Sequence, residues 1–215
     1  MRPNVLLRQL RFTTRRLQAR PDTADLAPPL RDATDTLARA LAAADTAEED
    51  AAQLTADLAF ADSVEDDAFA RVARAARLLV EGNLDDRRWR TLFAAAPSAL
   101  TDPAGGPAQA TAVARVLNAI AEDPALASLA PVAGPLAAAR EAVAAIEARR
   151  AAQQPARASA RLAAELAASD AQRALRRVRP LLQLRFESRA QVASFFVSDG
   201  RRGGAPGPEA APDAD

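Results

Sequence analysis

At 215 residues the chain is long enough to bury a substantial core, and 49% of it is apolar, most of that alanine. The 28 basic residues, all arginine, balance 28 acidic ones, so no global field draws the protein to nucleic acid or an anionic membrane. Cysteine, histidine and lysine are absent. That excludes disulfides and thiolate sites, the commonest general base and transition-metal ligand, and any Ser–Lys nucleophile.

Arginines at 2, 8, 11, 15 and 16 break up the first seventeen residues, which therefore lack the apolar run of a secretory signal. Unbroken apolar runs elsewhere fall short of the roughly 20 residues a membrane span needs. A soluble, cytoplasmic protein without a transmembrane segment is expected. β-branched residues are sparse and no window alternates with period two, while alanine has the highest helix propensity because its side chain loses no rotamer freedom. The expected class is all-α.

The first expected helix runs from Val5 to Leu17, with Leu6, Leu10, Thr13 and Leu17 on one face and Pro21 ending it. The next begins at Asp25 or Leu26, where Pro28 and Pro29 suit a first turn. Between Leu41 and Leu54 no large apolar residue occurs, and Thr46 with Glu49 has the form of a capping box. A tight turn near Ala44–Thr46, making an antiparallel hairpin, is therefore expected. Two alternatives remain: a break at Ser63, where acidic residues favour a helix start, or one helix from Leu26 to Glu81, on the order of 80 Å long at 1.5 Å per residue. Gly82 is a suitable left-handed C-cap. A short helix from Asp85 to Ala95 presents Trp89, Leu92 and Phe93, and Pro97 stops it. Residues 101–107 read as a loop and 108–121 as an amphipathic helix. Helices follow at about 136–150 and 155–186, the latter kinked or ended by Pro180, and Ser188–Phe196 is a last short helix. From Ser198 the Gly, Pro and acidic content predicts a disordered tail.

Residues 136–186 read as a divergent copy of residues 30–80. A gap-free shift of 106 positions lays Leu136 on Leu30, Val143 on Leu37, Leu166 on Phe60, Val178 on Val72 and Leu182 on Ala76. The expected architecture is one pseudo-symmetric helical-bundle domain over 1–197, built from two duplicated long helical hairpins with short connecting helices. Repeat one covers about 26–82, a connector 83–128, repeat two about 129–187 and an end helix 188–197, with residues 198–215 as the tail.

No catalytic, cofactor or metal residue is assigned. The acidic run Asp62, Glu65, Asp66 and Asp67 lacks the converging oxygens that a hard cation requires and reads as a solvated helix face. Ser63, Ser98, Ser159, Ser169 and Ser188 have no base to activate them, and Gly105–Gly106 is not a phosphate loop. Charge is segregated: residues 1–20 carry six Arg and no acid, 21–67 carry thirteen acids and two Arg, and 140–189 carry eleven Arg and five acids. Pairing of the acidic stretch with the basic one is expected. Arg173, Arg176, Arg177 and Arg179 could instead contact phosphates. Trp89 with Phe93, and Phe195 with Phe196, are expected to close the ends of the core. The expected role is a non-enzymatic structural or protein-interaction bundle whose partner is another protein or a second copy, with nucleic acid disfavoured. The alternative is an Arg-mediated binder of polyanions or of anionic, lipid-like surfaces.

Overall fold

The computed structural model describes residues 2–97 and 107–197. Described regular structure is helical throughout: α1 (Pro3–Gln18), a 3-10 segment (Ala24–Leu26), α2 (Ala27–Leu79), α3 (Arg87–Leu92), α4 (Pro107–Glu122), a second 3-10 segment (Pro124–Leu129), α5 (Ala130–Arg185) and α6 (Arg189–Ala193). The chain is all-α as expected. The tail from Ser198, Ser98 and most of the 101–107 loop lie outside the described residues.

The expected turn near Ala44–Thr46 is not formed, and neither is a break at Ser63. Thr46, Glu49 and Ser63 all lie inside α2, a single helix of 53 residues. Nothing in that stretch interrupts a helix: it holds no Gly, no Pro beyond the first turn, and a run of strong helix formers. Two of its polar residues bond along the helix, Thr55 Oγ1 donating to the Ala51 carbonyl at 2.9 Å and Gln53 Nε2 to Asp57 at 2.7 Å. The second hairpin is likewise one helix. Pro155 and Pro180 lie within α5, where each removes a backbone bond without ending the 56-residue run. α2 ends where Glu81 (φ +50°) and Gly82 (φ +80°) turn left-handed and the Gly82 N–H reaches the Arg77 carbonyl at 2.9 Å.

The chain divides into two compact units. Unit 1 comprises Met1–Asp45 with Ala158–Asp215, and unit 2 comprises Thr46–Arg157. Unit 1 packs Leu6, Leu10 and Leu17 of α1 and Leu30 and Leu37 of α2 against Ala171, Val178 and Leu182 of α5, closed by Val192 and Phe195. Unit 2 packs Phe69, Val72 and Ala76 of α2 with Leu92, Phe93, Val113, Val116 and Ile120, and with Leu136 and Ala139 of α5. Each fully buried Leu or Phe contributes about 1.5–3 kcal/mol, so these side chains and not the alanines supply most of each core.

Several buried positions of the two cores fall at matching offsets, while others, such as buried Phe69 and Val80 against half-buried Leu175 and Phe186, do not match in burial. At the 106-residue offset, buried Leu136, Val143, Ala167, Ala171, Val178 and Leu182 of α5 fall on buried Leu30, Leu37, Ala61, Glu65, Val72 and Ala76 of α2. An offset of 103 lays Gln109, Val113, Val116 and Ile120 of α4 on Leu6, Leu10, Thr13 and Leu17 of α1, all buried. The same 103 lays Val192, Phe195 and Phe196 on Trp89, Leu92 and Phe93. The change from 103 to 106 falls at the 3-10 segments, three residues long before α2 and six before α5. Among the described residues the helices thus run twice in the order helix, 3-10 segment, long helix, short helix. Each unit takes the first half of one occurrence and the second half of the other.

Candidate functional site

The arginines of α1 and of the end of α5 gather on unit 1 around Phe12 and Phe196. A groove of about 510 Å³, open to solvent, runs between α1 and α5, with Leu6, Leu175 and Phe196 as its apolar wall and Arg176 and Arg179 on its rim. The period of α5 sets this arrangement. Leu175, Val178 and Leu182 turn inward, so Arg176 and Arg179 emerge on the flank beside α6. Val192 and Phe195 anchor α6 in the core, which leaves Phe196 half-buried at the mouth. The Arg179 guanidinium lies 5.0 Å from the centre of the Phe196 ring, a cation–π contact that holds it over the groove. Gln9 and Gln172 complete the lining, and Gln9 Oε1 is shielded from solvent with no hydrogen-bond partner among the described residues.

A second open groove, of about 600 Å³, flanks the other side of Phe196 and Val197, bounded by Arg8, Phe12, Arg16 and Ser194. Arg16 lies 5.5 Å from the Phe12 ring centre. Phe196 and Val197 line both grooves, so four guanidiniums surround one apolar ridge. Neither groove is lined by a carboxylate. Among the described residues none of the four arginines forms an ion pair, whereas nearby Arg173 pairs with Asp170. Such a surface can take an anion bidentately and an apolar side chain at once.

Unit 2 bridges the corresponding positions. Where unit 1 has Leu6 facing Gln172, unit 2 has Gln109 donating from Nε2 to Asp66 Oδ1 at 2.7 Å. Where unit 1 has Phe12, unit 2 has Arg115, whose guanidinium donates to the Arg90 and Thr91 carbonyls at 3.0 and 3.1 Å. Arg176 and Arg179 correspond to Ala70 and Ala73, Arg8 to Thr111 and Arg16 to Ala119.

Unit 2 also holds a buried ionic cluster. Glu65 is 0% exposed, and Arg140 donates to it from Nη1 at 3.2 Å and to Glu147 from Nη2 at 3.0 Å. Burial pushes the Glu65 carboxyl above its ordinary range despite the opposing pull of Arg140. Asp66 is also raised by burial, with Asp62 adding to the effect. The expected solvated acidic face is thus corrected at Glu65, which faces the core. The expected pairing of acidic and basic stretches occurs within each unit: Asp25 with Arg185 at 2.6 Å in unit 1, and Glu65 with Arg140 and Glu48 with Arg157 in unit 2. No group of three or more potential metal ligands occurs among the described residues.

Each aromatic pair places one ring in a core and one at the surface. Phe93 meets Phe69 edge-on at 5.8 Å and Phe195 is buried, while Trp89 and Phe196 are half-buried. Phe60 and Leu166, aligned as equivalents by the apolar rhythm, are both surface residues, 74% and 58% exposed. The sequence singled out Arg176 and Arg179 but not their α1 neighbours Arg8 and Arg16. The absence of any acid from residues 1–20 was the available signal. One stretch, Pro124–Arg185, contains an 18-residue window of mean hydropathy 1.3, long and apolar enough to cross a membrane by length and composition alone. Compared with known proteins, the chain matches no family model, no curated protein and no solved structure.

Proposed function

We propose that this protein is a tandem duplication that works as a non-enzymatic binding bundle, and that the Arg–Phe surface of unit 1 engages an acidic segment of a protein partner. The observation that carries the reading is the contrast between corresponding positions. The core under the groove is matched in unit 2, but Arg8, Arg16, Arg176 and Arg179 are Thr or Ala there. The scaffold therefore packs without those charges, and their clustering around a half-exposed Phe196 is a property of the surface and not of the fold. The chain's charge neutrality and the short reach of the cluster suit an acidic peptide better than a long polyanion.

The test is fluorescence anisotropy with a labelled peptide of alternating Glu, Ala and Leu, beside a duplex DNA of equal charge. Saturable peptide binding is expected at about 150 mM salt, weakened at least tenfold by the double variant Arg176→Gln/Arg179→Gln, with no appreciable DNA binding. Tight DNA retention lost in the same variant would move the assignment to a polyanion. A second reading, attachment to an anionic lipid surface, draws on Leu181 and Leu184, both exposed near the arginines of α5. Co-sedimentation with phosphatidylglycerol vesicles, abolished by Leu181→Ser/Leu184→Ser, would favour it.

A further inference from the structure

We infer that the groove of unit 1 is occupied by the chain's own acidic segment, Glu209–Asp215, so that the surface proposed above for an acidic partner is self-masked. This rests on that proposal and adds the identity of the first occupant. Three observations point to it. Val197, the last described residue before this segment, lines both grooves, so the following chain starts at the site. The eleven residues 198–208 include four glycines. By the scaling for Gly-rich chains, eleven residues span about 18 Å root-mean-square, and tethers that short give effective concentrations in the millimolar range. Charge is complementary. Glu209, Asp213 and Asp215 follow the linker with no arginine among them, while Arg201 and Arg202 stay near its root, beside Asp199. The segment also brings what else the groove asks for: backbone N–H donors for the unpartnered Gln9 Oε1, and Ala210, Ala211 and Pro212 for the Phe196 ridge. An external acidic protein would have to displace a tethered competitor.

The chain has no cysteine, so a nitroxide on Ala211→Cys reports the segment's position in the full-length protein by paramagnetic broadening of amide signals. Any chain leaving Val197 brushes that neighbourhood, so the readout is the difference between the native segment and Glu209→Gln/Asp213→Asn/Asp215→Asn. Broadening at Gln172, Arg176 and Arg179 at about 50 mM salt is expected to fall at least threefold in the neutralised segment, and likewise at about 500 mM salt. Equal broadening in native and neutralised segments overturns the inference. So does broadening seen only between a spin-labelled copy and an isotope-labelled one, which would assign the groove to a second molecule. Truncation after Val197 separates this result from the proposed function. A truncated chain that binds the acidic probe about tenfold tighter than the full chain supports both. Equal affinity overturns the self-masking alone, and no binding by the truncated chain overturns the binding function itself.

Discussion

Where unit 2 buries Glu65 against Arg140, unit 1 places Ala171 and Thr34 at the corresponding positions, and both of these are buried too. Ala171 is 0% exposed, and Thr34 turns its hydroxyl back to the Leu30 carbonyl of its own helix at 2.6 Å. The same helix pair can therefore be sealed by small side chains or by a charge pair. A buried pair gains little net free energy over an apolar substitute, because desolvation offsets most of the attraction, but losing one partner leaves a stranded charge. The two crossings state that argument within a single chain.

The largest expected effect comes from breaking the ionic crossing on one side. Arg140→Thr leaves the Glu65 carboxylate buried without its cation and should destabilise by about 3 kcal/mol. The double variant Glu65→Ala/Arg140→Thr, which grafts the unit 1 pair into unit 2, should recover most of that loss. Urea unfolding of the cycle measures it, and an additive double variant would mean that the pair does not act as one. Next in size are the matched core positions Leu37 and Val143, 0% and 2% exposed. Leu37→Ala should cost at least about 2 kcal/mol and Val143→Ala somewhat less; a neutral result at either would break the correspondence.

A smaller effect sharpens the comparison of α1 with α4. Thr13 is 0% exposed and its hydroxyl has no partner, while Val116 occupies the corresponding place. Thr13→Val should raise stability by about 1 kcal/mol and Val116→Thr lower it by a similar amount, read as opposite shifts in melting midpoint. The smallest is a pH effect. Since burial raises the Glu65 pKa in the folded state, its contribution is fully present below the ordinary carboxylate range. That contribution is lost as pH rises through the raised value. Asp25, held low by Arg185, acts in the opposite sense and loses its contribution as pH falls. Thermal melts from pH 4 to 8 should show Glu65→Gln losing less stability toward high pH than the parent.

The helical class, α1, α4 and the aromatic anchors were legible because they rest on local rules: period 3.6, caps and breakers. The continuity of α2 was legible only as an alternative to the expected turn. Residues 41–54 lack large apolar side chains, and Thr46 with Glu49 imitates a helix start. A capping box is only a preference, though, and the unbroken alanine-rich run needs no cap. The positional correspondence was legible only in part, because a gap-free shift matches α2 with α5 but leaves everything before the 3-10 segments out of step by three residues. Glu65 defeated the reading because the run around it is acidic, and the cation that accompanies it into the core lies 75 residues further on. The groove needed tertiary structure, since Arg8 and Arg16 reach Arg176 and Arg179 only through the packing of α1 on α5.

The interleaving of the units has a consequence for the order in which the protein can be built. Unit 2 is one contiguous stretch, Thr46–Arg157, whereas unit 1 joins residues up to Asp45 with residues from Ala158 onward. On a ribosome adding about 5–20 residues per second, α1 and the start of α2 emerge on the order of ten seconds before the chain that covers them. During that interval Leu6, Leu10, Leu17, Leu30 and Leu37 lack their α5 partners, so the middle of the chain can fold before its beginning does. The six arginines among the first twenty residues, with no acid among them, give α1 a net positive charge that repels the α1 of another copy during that interval.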